Sequence, residues 1–205
     1  RMEVNASVVT YKGMLALQSI HRDVTLRHEM EAQLRYESLH DALTGLPNRA
    51  LFQDRITHTL ARSTRSGEFE FCILFFDLDN FKDVNDSLGH LAGDTLLITL
   101  AKRLNGFVRR TDTIARMGGD EFAILMEDIR NLSDVQEYCQ RILKLINEPF
   151  EIEGTEIIIS GSVGVAFGNP EITTAEIYLR DADIALYRAK GDGKNRYSIF
   201  DTSMR

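Results

Sequence analysis

The pair of glycines at positions 118–119 constrains the fold of this chain more than any other feature of its sequence. Residues 113–116 and 122–126 flank the pair and are apolar or β-branched at most positions, as strands are. Glycine adopts positive φ angles without steric cost, and tight hairpin turns demand such angles. The sequence therefore predicts two adjacent antiparallel strands, with the acids Asp120 and Glu121 beside their turn.

Residues 71–76 form a short, continuously apolar run that is followed by the sequence Asp-Leu-Asp at residues 77–79. Such a run is typical of a strand buried on both faces, although its periodicity alone also allows a buried helix. If the run is a strand in the same sheet as the hairpin, its closing acids lie at the sheet end that carries Asp120 and Glu121.

The remaining pattern predicts an α/β (α+β) chain with a central, mostly antiparallel sheet flanked by helices. Apolar spacing, caps and breaks predict helices at residues 23–39, 49–65, 80–85, 93–108, 133–147 and 174–190. Further strands are predicted at residues 150–152, 156–167 and 197–200, and a hairpin over residues 1–22 with Lys12 and Gly13 in its turn.

The charge and cysteine content exclude several classes of protein. The 205 residues carry a formal net charge of -7, which argues against a broad nucleic-acid surface but allows a nucleotide bound through a metal. Cys72 and Cys139 lie in apolar segments without CxxC spacing, so we expect no disulfide, no zinc site and a cytoplasmic setting. No apolar run reaches the roughly 18 residues of a membrane span, so we expect no membrane contact by these residues. The chain opens at Arg1 and is expected to be a fragment of a longer protein, whose other parts could tether it to a membrane.

Three acidic pairs are candidates for metal binding: residues 77 and 79, 120 and 121, and 181 and 183. Clustered carboxylates repel one another and lose hydration, and a hard divalent cation offsets both costs. Mg²⁺ bound in this way usually keeps phosphate oxygens in its shell, as in polymerase-type phosphoryl transfer. The spacing alone equally allows these acids to cap helices and turns.

Several motifs, in matching order, resemble the GGDEF family, whose members make cyclic di-GMP from two GTP molecules. The similar segments are residues 41–49 (DALTGLPNR), 76–82 (FDLDNFK), 85–90 (NDSLGH), 93–94 (GD), 116–122 (RMGGDEF) and 189–195 (AKGDGKN). The resemblance covers residues 38–200 and implies a palm-like nucleotide-cyclase fold. It also implies a homodimer, in which two GTP-loaded domains face each other, and Mg²⁺ or Mn²⁺ as cofactor.

The resemblance assigns metal binding to Asp77, the main-chain carbonyl of Leu78, Asp120 and Glu121. Either acid of the last pair is also implied as the catalytic group that deprotonates the attacking 3′-hydroxyl.

The substrate-binding residues carried over from the family are divided between the base and the phosphates. Asn85 and Asp94 match the guanine-reading positions, and a carboxylate can accept from guanine N1–H and N2–H. Phosphate contacts are implied for the remaining matched positions: Asn80, Phe81, Lys82, Lys190 and Lys194. Without the family match, compensation of a helix dipole is the preferred explanation of Lys190 and Lys194.

The sequence Arg109-Arg110-Thr111-Asp112 matches the RxxD inhibitory site of the family, at which the product cyclic di-GMP binds. The resemblance implies that Arg109, Asp112 and Arg116 form this site. By itself, an Arg and an Asp three residues apart are more often a surface ion pair.

The flanking segments resemble parts of other domains. Residues 1–25 are similar to the end of a PAS sensor domain, residues 26–40 to a helical linker, residues 41–201 to the GGDEF domain, and residues 202–205 to the start of a linker that precedes an EAL phosphodiesterase domain.

Three alternatives to a diguanylate cyclase remain at this point. The domain could bind GTP and regulate an attached EAL phosphodiesterase, act as a cyclic di-GMP receptor through Arg109 and Asp112, or serve as a structural spacer. Synthesis of cyclic di-GMP from GTP and Mg²⁺ distinguishes the cyclase from all three.

Overall fold

The computed structural model describes residues 2–11, 14–68, 70–129 and 131–204. The chain divides into two compact units, Arg1–Ser38 and Leu39–Arg205. The first unit contains strands β1 (Met2–Tyr11) and β2 (Met14–Asp23), which pair antiparallel along their whole length, and most of helix α1 (Thr25–Leu39). The predicted turn at residues 12–13 lies outside the described residues.

The helix predicted over residues 23–39 is present, and its start is set by a cap. The Asp23 carboxylate accepts a hydrogen bond from the Thr25 backbone N–H at 2.9 Å, which satisfies one of the donors that a helix start leaves unpaired. Helix α1 therefore begins at Thr25, two residues after the expected boundary.

The second unit is a five-stranded sheet with helices on both faces. Its elements, in chain order, are α2 (Arg49–Ser66), β3 (Phe71–Leu78), α3 (Phe81–Leu88), α4 (His90–Phe107), β4 (Thr113–Gly118), β5 (Glu121–Glu127), α5 (Leu132–Ile146), β6 (Phe150–Ile152), β7 (Thr155–Ile157), β8 (Gly161–Phe167), α6 (Ala175–Gly191), β9 (Tyr197–Ile199) and a short 3₁₀ turn (Thr202–Met204). The strand order is β4-β5-β3-β8-β9, in which β8 and β9 run parallel and the other neighbours run antiparallel. The predicted fold class is confirmed.

Strand β3 lies in the middle of the sheet and is buried on both faces, as its composition predicts. Leu74 and Phe76 pack into a core with helices α4 and α5, whereas Ile73 and Phe75 pack into a second core with α2 and α6. Successive side chains of a strand point to opposite faces, so a strand between two helical layers must be apolar at every position.

Gly164 determines how closely helix α6 approaches the sheet. A Cβ atom at this position would overlap the backbone carbonyl of Ala182 and the backbone nitrogen of Leu186. The helix can therefore pack directly on the backbone of β8. This contact fixes the position of α6, which carries Lys190, relative to the end of β3.

The predicted single strand over residues 156–167 is wrong. Its first residues belong to β7, which pairs with β6 in a separate ribbon around Glu153 and Gly154, with φ angles of 51° and 78°. The chain then leaves this ribbon, Ile158 is 67% exposed, and β8 begins at Gly161. Both strands alternate in the same way, so the pattern does not show where the chain passes from one sheet to another.

The break predicted near Gly89 is confirmed and separates two helices that are longer than expected. Gly89 has a φ of 86° and lies between α3 and α4. The thiols of Cys72 and Cys139 are both buried and free. Within the described ranges, no helix has the length and hydropathy needed to cross a membrane.

Candidate functional site

Asp77 and Glu121 lie directly opposite each other on neighbouring antiparallel strands. The register of β3 and β5 pairs these two residues at the sheet end where the hairpin turns. Directly paired residues of antiparallel strands have Cα atoms about 4.5–5.5 Å apart. Gly118 and Gly119, with φ angles of 141° and 53°, form the turn that places Asp120 beside them. The structure thus brings together Asp77, Asp120 and Glu121, three of the acids that the sequence singled out.

The electrostatics of this cluster show excess negative charge in a partly buried place. Burial raises the pKa of Asp77 to about 6, a hydrogen bond from Lys190 opposes the rise, and the Asp120 and Glu121 carboxylates add to it. Burial also raises the pKa of Glu121, as do the carboxylates of Asp183 and Asp120. A cation at this place would relieve both effects.

Lys190 supplies one such positive charge. Its Nζ lies 2.9 Å from Oδ2 of Asp77, and both side chains are mostly buried, with 33% and 15% of their surface exposed. The lysine reaches the site because α6 packs on β8 and β3, and it occupies the last turn of that helix.

The donors in this cluster suit Mg²⁺ or Mn²⁺ bound together with a phosphate ligand. Throughout the part of the chain that the structure describes, no three His, Cys, Asp or Glu side chains are grouped to hold a metal alone. Mg²⁺ is commonly held by one or two carboxylates, with substrate phosphates and water completing its octahedral shell. Asp77 and Glu121 provide two carboxylates, Asp120 lies beside them, and Leu78 places a main-chain carbonyl next to Asp77.

Asp79, the partner of Asp77 in the first acidic pair, does not join this cluster. It is 3% exposed and accepts hydrogen bonds from Ser160 Oγ at 2.7 Å, Ser162 Oγ at 2.8 Å and the Asn195 backbone N–H at 3.1 Å. All three donors are at least 81 residues away in the chain, so the sequence offered no sign of them.

The start of α3 presents backbone N–H groups and nearby lysines. Asn80 precedes the helix with a φ of 61°, and Phe81 is its first residue and is buried. Lys194 Nζ donates to Asn80 Oδ1 at 2.7 Å, and the exposed Lys82 lies in the first turn. Unpaired N–H groups at a helix start, combined with ammonium groups, are suited to binding phosphate.

Asn85 and Asp94, the predicted guanine readers, lie on the adjacent helices α3 and α4 and are both half-buried. Gly93 allows this arrangement, because a Cβ atom there would overlap Oδ1 of Asn85 and press on the Phe81 ring. The role of Gly93 was not identified from the sequence. A glycine within an apolar helical stripe is the signal that could have indicated it.

The third acidic pair is divided between two environments. Asp181 is 1% exposed and forms an ion pair with Arg180 at 3.1 Å. Asp183 instead faces a cavity of about 290 Å³ that is also lined by Glu121, Arg49 and Glu176. Asp183 therefore contributes to the negative charge around the site, a role that the sequence did not predict.

The RxxD segment borders a second cavity of about 510 Å³, which Arg109 and Asp112 both line. Asp112 is 9% exposed, and its carboxylate accepts long hydrogen bonds of 3.4 Å from the backbone N–H groups of Arg109 and Glu127. Burial raises the pKa of Asp112, and these hydrogen bonds oppose the rise.

Arg116, which was grouped with this segment, makes its contacts at the hairpin turn. It donates to Asp41 Oδ1 at 2.9 Å and, through two guanidinium nitrogens, to the Gly119 carbonyl at 2.9 and 2.7 Å. The Asp41 carboxylate also accepts a hydrogen bond from the Thr44 hydroxyl at 2.6 Å. Burial raises the pKa of Asp41, but the hydrogen bonds from Thr44 and Arg116 outweigh burial, so that the pKa is lowered. The arginine thus braces the turn that carries Asp120.

The chain is similar to known proteins over most of this second unit. A family profile described as "Diguanylate cyclase, GGDEF domain" matches residues 38–196. The bifunctional diguanylate cyclase/cyclic di-GMP phosphodiesterase MucR of Pseudomonas aeruginosa is 43% identical over 167 residues, which are 82% of this chain and 24% of that protein. Diguanylate cyclase TpbB of the same species is 38% identical over 160 residues, which are 78% of this chain and 37% of that protein. The chain therefore spans about a quarter to two fifths of the length of these relatives.

Solved structures agree with this result. The isolated GGDEF domain of TpbB superposes with a TM-score of 0.76 at 36% identity and covers 80% of this chain and 96% of that one. The coiled coil and GGDEF domain of DgcB from Caulobacter crescentus, solved with c-di-GMP, gives a TM-score of 0.77 at 29% identity and covers 85% and 91%. With the acids, the glycine turn and the lysines in place, the chain belongs to the diguanylate cyclase GGDEF-domain family.

Proposed function

We propose that the second unit condenses two GTP molecules into cyclic di-GMP and two pyrophosphates, with one GTP held by each domain of a homodimer. The observation that carries this proposal is the pairing of Asp77 with Glu121 at the end of the sheet, next to Asp120 and with Lys190 in contact. A site of this composition binds a triphosphate through a divalent cation, and this supports phosphoryl transfer as the reaction.

In each half-reaction, the 3′-oxygen of one GTP attacks the α-phosphorus of the other. The new P–O ester bond forms as the bond to the β-phosphate oxygen breaks, and pyrophosphate leaves. Mg²⁺ or Mn²⁺, when held by Asp77, the Leu78 carbonyl, Asp120 and Glu121, supplies positive charge that stabilises the developing charge on the phosphate oxygens. The hydroxyl proton passes to Asp120 or Glu121, and Glu121 lies opposite Asp77 at the end of the sheet where the reaction is proposed.

Binding of the triphosphate is assigned to groups around the start of α3. The N–H groups at Asn80 and Phe81 face the phosphates, and Lys82, Lys190 and Lys194 offset their charge. Because Lys190 Nζ already lies 2.9 Å from Asp77, it is close to the place where the phosphates must meet the acids.

Recognition of guanine is assigned to Asn85 and Asp94. The Asp94 carboxylate accepts from N1–H and N2–H, a donor pattern that adenine lacks. Close packing of α3 on α4 at Gly93 holds the two side chains at one edge of the site.

Product inhibition is assigned to the cavity beside Arg109 and Asp112. Arg109 can donate to guanine O6 and N7 while Asp112 accepts from N1 and N2. The 510 Å³ cavity is large enough for a base to enter, and it lies at the other end of β4 from the acids. The contacts of Arg116 favour a role in holding the hairpin turn.

A second candidate function is that of a GTP-binding module that regulates a phosphodiesterase. It is favoured by relatives in which the matched region is a small part of a larger protein. One is MucR, which is named as bifunctional. Another is NbdA of Pseudomonas aeruginosa, which is named as a cyclic di-GMP phosphodiesterase and is 34% identical over 173 residues.

The test is incubation of the chain with GTP and Mg²⁺, with cyclic di-GMP and pyrophosphate measured by chromatography. The wild type is expected to form both in a ratio of one to two, and Asp120→Ala with Glu121→Ala is expected to lower the rate by at least about 10³-fold, because charge stabilisation is lost where the phosphate reacts. Asp86→Ala, an exposed acid on α3, serves as the control and is expected to react at the wild-type rate.

GTP binding without any synthesis of cyclic di-GMP would contradict the cyclase and support the regulatory module.

Chelation of the divalent cation with EDTA is expected to abolish synthesis, and activity that survives it would refute the metal site.

A further inference from the structure

Asp79 is a buried carboxylate that has no role in the reaction proposed above. Its side chain accepts hydrogen bonds from Ser160 and Ser162, which lie just before and within β8, and from the backbone N–H of Asn195, which follows α6. A buried carboxylate persists only when hydrogen bonds satisfy its oxygens, and these three donors do so. Asp79 thus joins the end of β3 to the chain that follows α6.

The backbone on both sides of this contact is strained. Asn80, Lys194 and Asn195 have φ angles of 61°, 62° and 48°. In this left-handed region residues other than glycine are uncommon; asparagine tolerates it, whereas lysine enters it only at a cost. Such conformations persist where surrounding contacts hold them, and they are concentrated at ligand clamps and active sites.

The two strained segments hold each other through direct contacts. Lys194 Nζ donates to Asn80 Oδ1 at 2.7 Å, next to the 3.1 Å bond between the Asn195 N–H and Asp79. From the other side, Asn147 Nδ2 donates to Asn195 Oδ1 at 2.9 Å. The segment after α6 is therefore tied down at two successive residues, and Asp79 provides the buried anchor.

We propose that Asp79 is a positioning residue that locks Lys194 and Asn195 onto the end of β3 and so sets where the Lys194 ammonium lies. A lysine side chain has four rotatable bonds, so the location of its charge depends on a fixed backbone. Asp79 fixes that backbone through Asn195, and the ammonium then lies beside Asn80, at the start of α3. The lock is independent of the reaction, whereas its effect on catalysis rests on the proposed function, in which Lys194 binds phosphate.

A purely structural role for Asp79 predicts different results. If the residue only stabilised the fold, its loss would lower stability and affect activity equally whether or not Lys194 is present. If it positions Lys194, its effect on substrate binding passes through that side chain and disappears when the side chain is absent.

The test is a double-mutant cycle in the 205-residue chain, with kcat and KM for GTP measured for Asp79→Ala, Lys194→Ala and the double variant. Each single variant is expected to raise KM about 10-fold or more with a smaller change in kcat, because a misplaced binding group weakens the substrate complex. The double variant is expected to lie within about 2-fold of Lys194→Ala, because groups that act through one another are not additive. Additive effects in the double variant would overturn the proposal.

A second measurement does not depend on turnover. Hydrogen exchange of the Asn195 backbone amide is expected to be slow in the wild type and at least about 10-fold faster in Asp79→Ala, since the amide loses its buried acceptor. Asp192→Ala, in the same segment, removes a carboxylate that forms a 3.8 Å ion pair with the exposed Arg188. It is the matched control and is expected to change neither KM nor the Asn195 exchange rate. Unaltered exchange in the Asp79 variant would refute the lock even if GTP is not turned over.

Asp79→Asn provides an intermediate step. It keeps one acceptor oxygen and places an amide donor where the second oxygen was, so both KM and exchange are expected to lie between the wild type and the alanine variant. If the alanine variant does not fold, the KM and the exchange rate of Asp79→Asn are sufficient to test the proposal. A wild type that makes no cyclic di-GMP but loses Asn195 protection on Asp79 substitution would refute the proposed function and retain the lock.

Discussion

Asp94 is the side chain on which the choice of guanine depends in the proposed reaction. A carboxylate offers only acceptors, whereas an asparagine amide offers one acceptor and one donor group. In Asp94→Asn, the amide N–H₂ would face N1–H or N2–H of guanine, and a donor would be left opposite a donor. We expect GTP affinity to fall about 10- to 100-fold, which is about 1.4–2.8 kcal/mol.

The measurement is calorimetric titration with a non-hydrolysable GTP analogue, and with the ATP counterpart to assess selectivity. Asp83→Asn, an exposed acid in the first turn of α3, is the control and is expected to bind both analogues as the wild type does. If Asp94→Asn still preferred the GTP analogue over the ATP analogue by the wild-type ratio, the base would be read by other residues.

Individual residues differed in how far the sequence revealed them. Asp77, Asp120 and Glu121 could be predicted to converge, because strand ends and a glycine turn are local signals that fix where acids lie in a sheet. The partners of Asp79 and the bond from Arg116 to Asp41 could not, since each joins positions at least 75 residues apart. Such contacts depend on how the elements pack, which no local pattern encodes.

At the scale of elements, Gly164 makes a sharp prediction about the contact between α6 and β8. An added methyl group would overlap backbone atoms of Ala182 and Leu186, which cannot rotate away as a side chain can. We expect Gly164→Ala to lower the free energy of unfolding by about 3 kcal/mol or more, because overpacking against a rigid backbone forces the two elements apart.

Gly106→Ala is the matched control for this substitution. Gly106 is an exposed glycine in α4, and a Cβ atom there would meet nothing within 4 Å. Alanine is expected to raise the free energy of unfolding by about 0.5–1 kcal/mol at this position, because it reduces the freedom of the unfolded chain and favours the helix. Urea unfolding followed by circular dichroism measures both variants. A Gly164→Ala midpoint at or above the wild-type value would contradict the packing described here.

Elements with a strong local signal were predicted well. The continuous apolar run predicted strand β3, which is buried. The paired glycines predicted the hairpin of β4 and β5, and Gly89 predicted the break between two helices; these glycines have positive φ angles. The division of residues 156–167 between β7 and β8 was missed. The choice between two sheets is decided by tertiary contacts, such as the bond from the Asp79 N–H to the Ser160 carbonyl at 2.8 Å.

At the scale of the whole molecule, the order β4-β5-β3-β8-β9 could not be read from the sequence, although the class of fold could. The packing of the helices on both faces decides which strands become neighbours, and β9 joins β8 in parallel. The PAS-like assignment of residues 1–25 and an EAL domain after residue 205 remain predictions, which the sequence of the full-length protein can check.

The proposed ring closure requires two domains, so the rate per domain must depend on how many chains are paired. Helix α1 carries Leu26, Met30 and Leu34 at four-residue spacing, and these side chains are 64%, 57% and 65% exposed. Apolar side chains with this spacing form one stripe along a helix and suit pairing with a second copy. Because helix α1 has 15 residues, only about two heptads, we expect dimerisation to be weak and the specific activity to rise with protein concentration.

Replacing Leu26, Met30 and Leu34 together by Gln is expected to weaken dimerisation at least about 10-fold, because burying even one Leu contributes about 1.5–3 kcal/mol. Sedimentation velocity measures the dimer fraction, and the rate of cyclic di-GMP synthesis is followed over the same range of protein concentration. Glu29→Gln, an exposed polar position on the same helix, is expected to change neither.

If the triple variant lost dimers but kept its activity per domain, the stripe would not be the contact through which the two GTP molecules meet. If the wild-type activity were independent of concentration while the protein sedimented as a monomer, two facing domains would not be needed, and the proposed mechanism would fail at its central step.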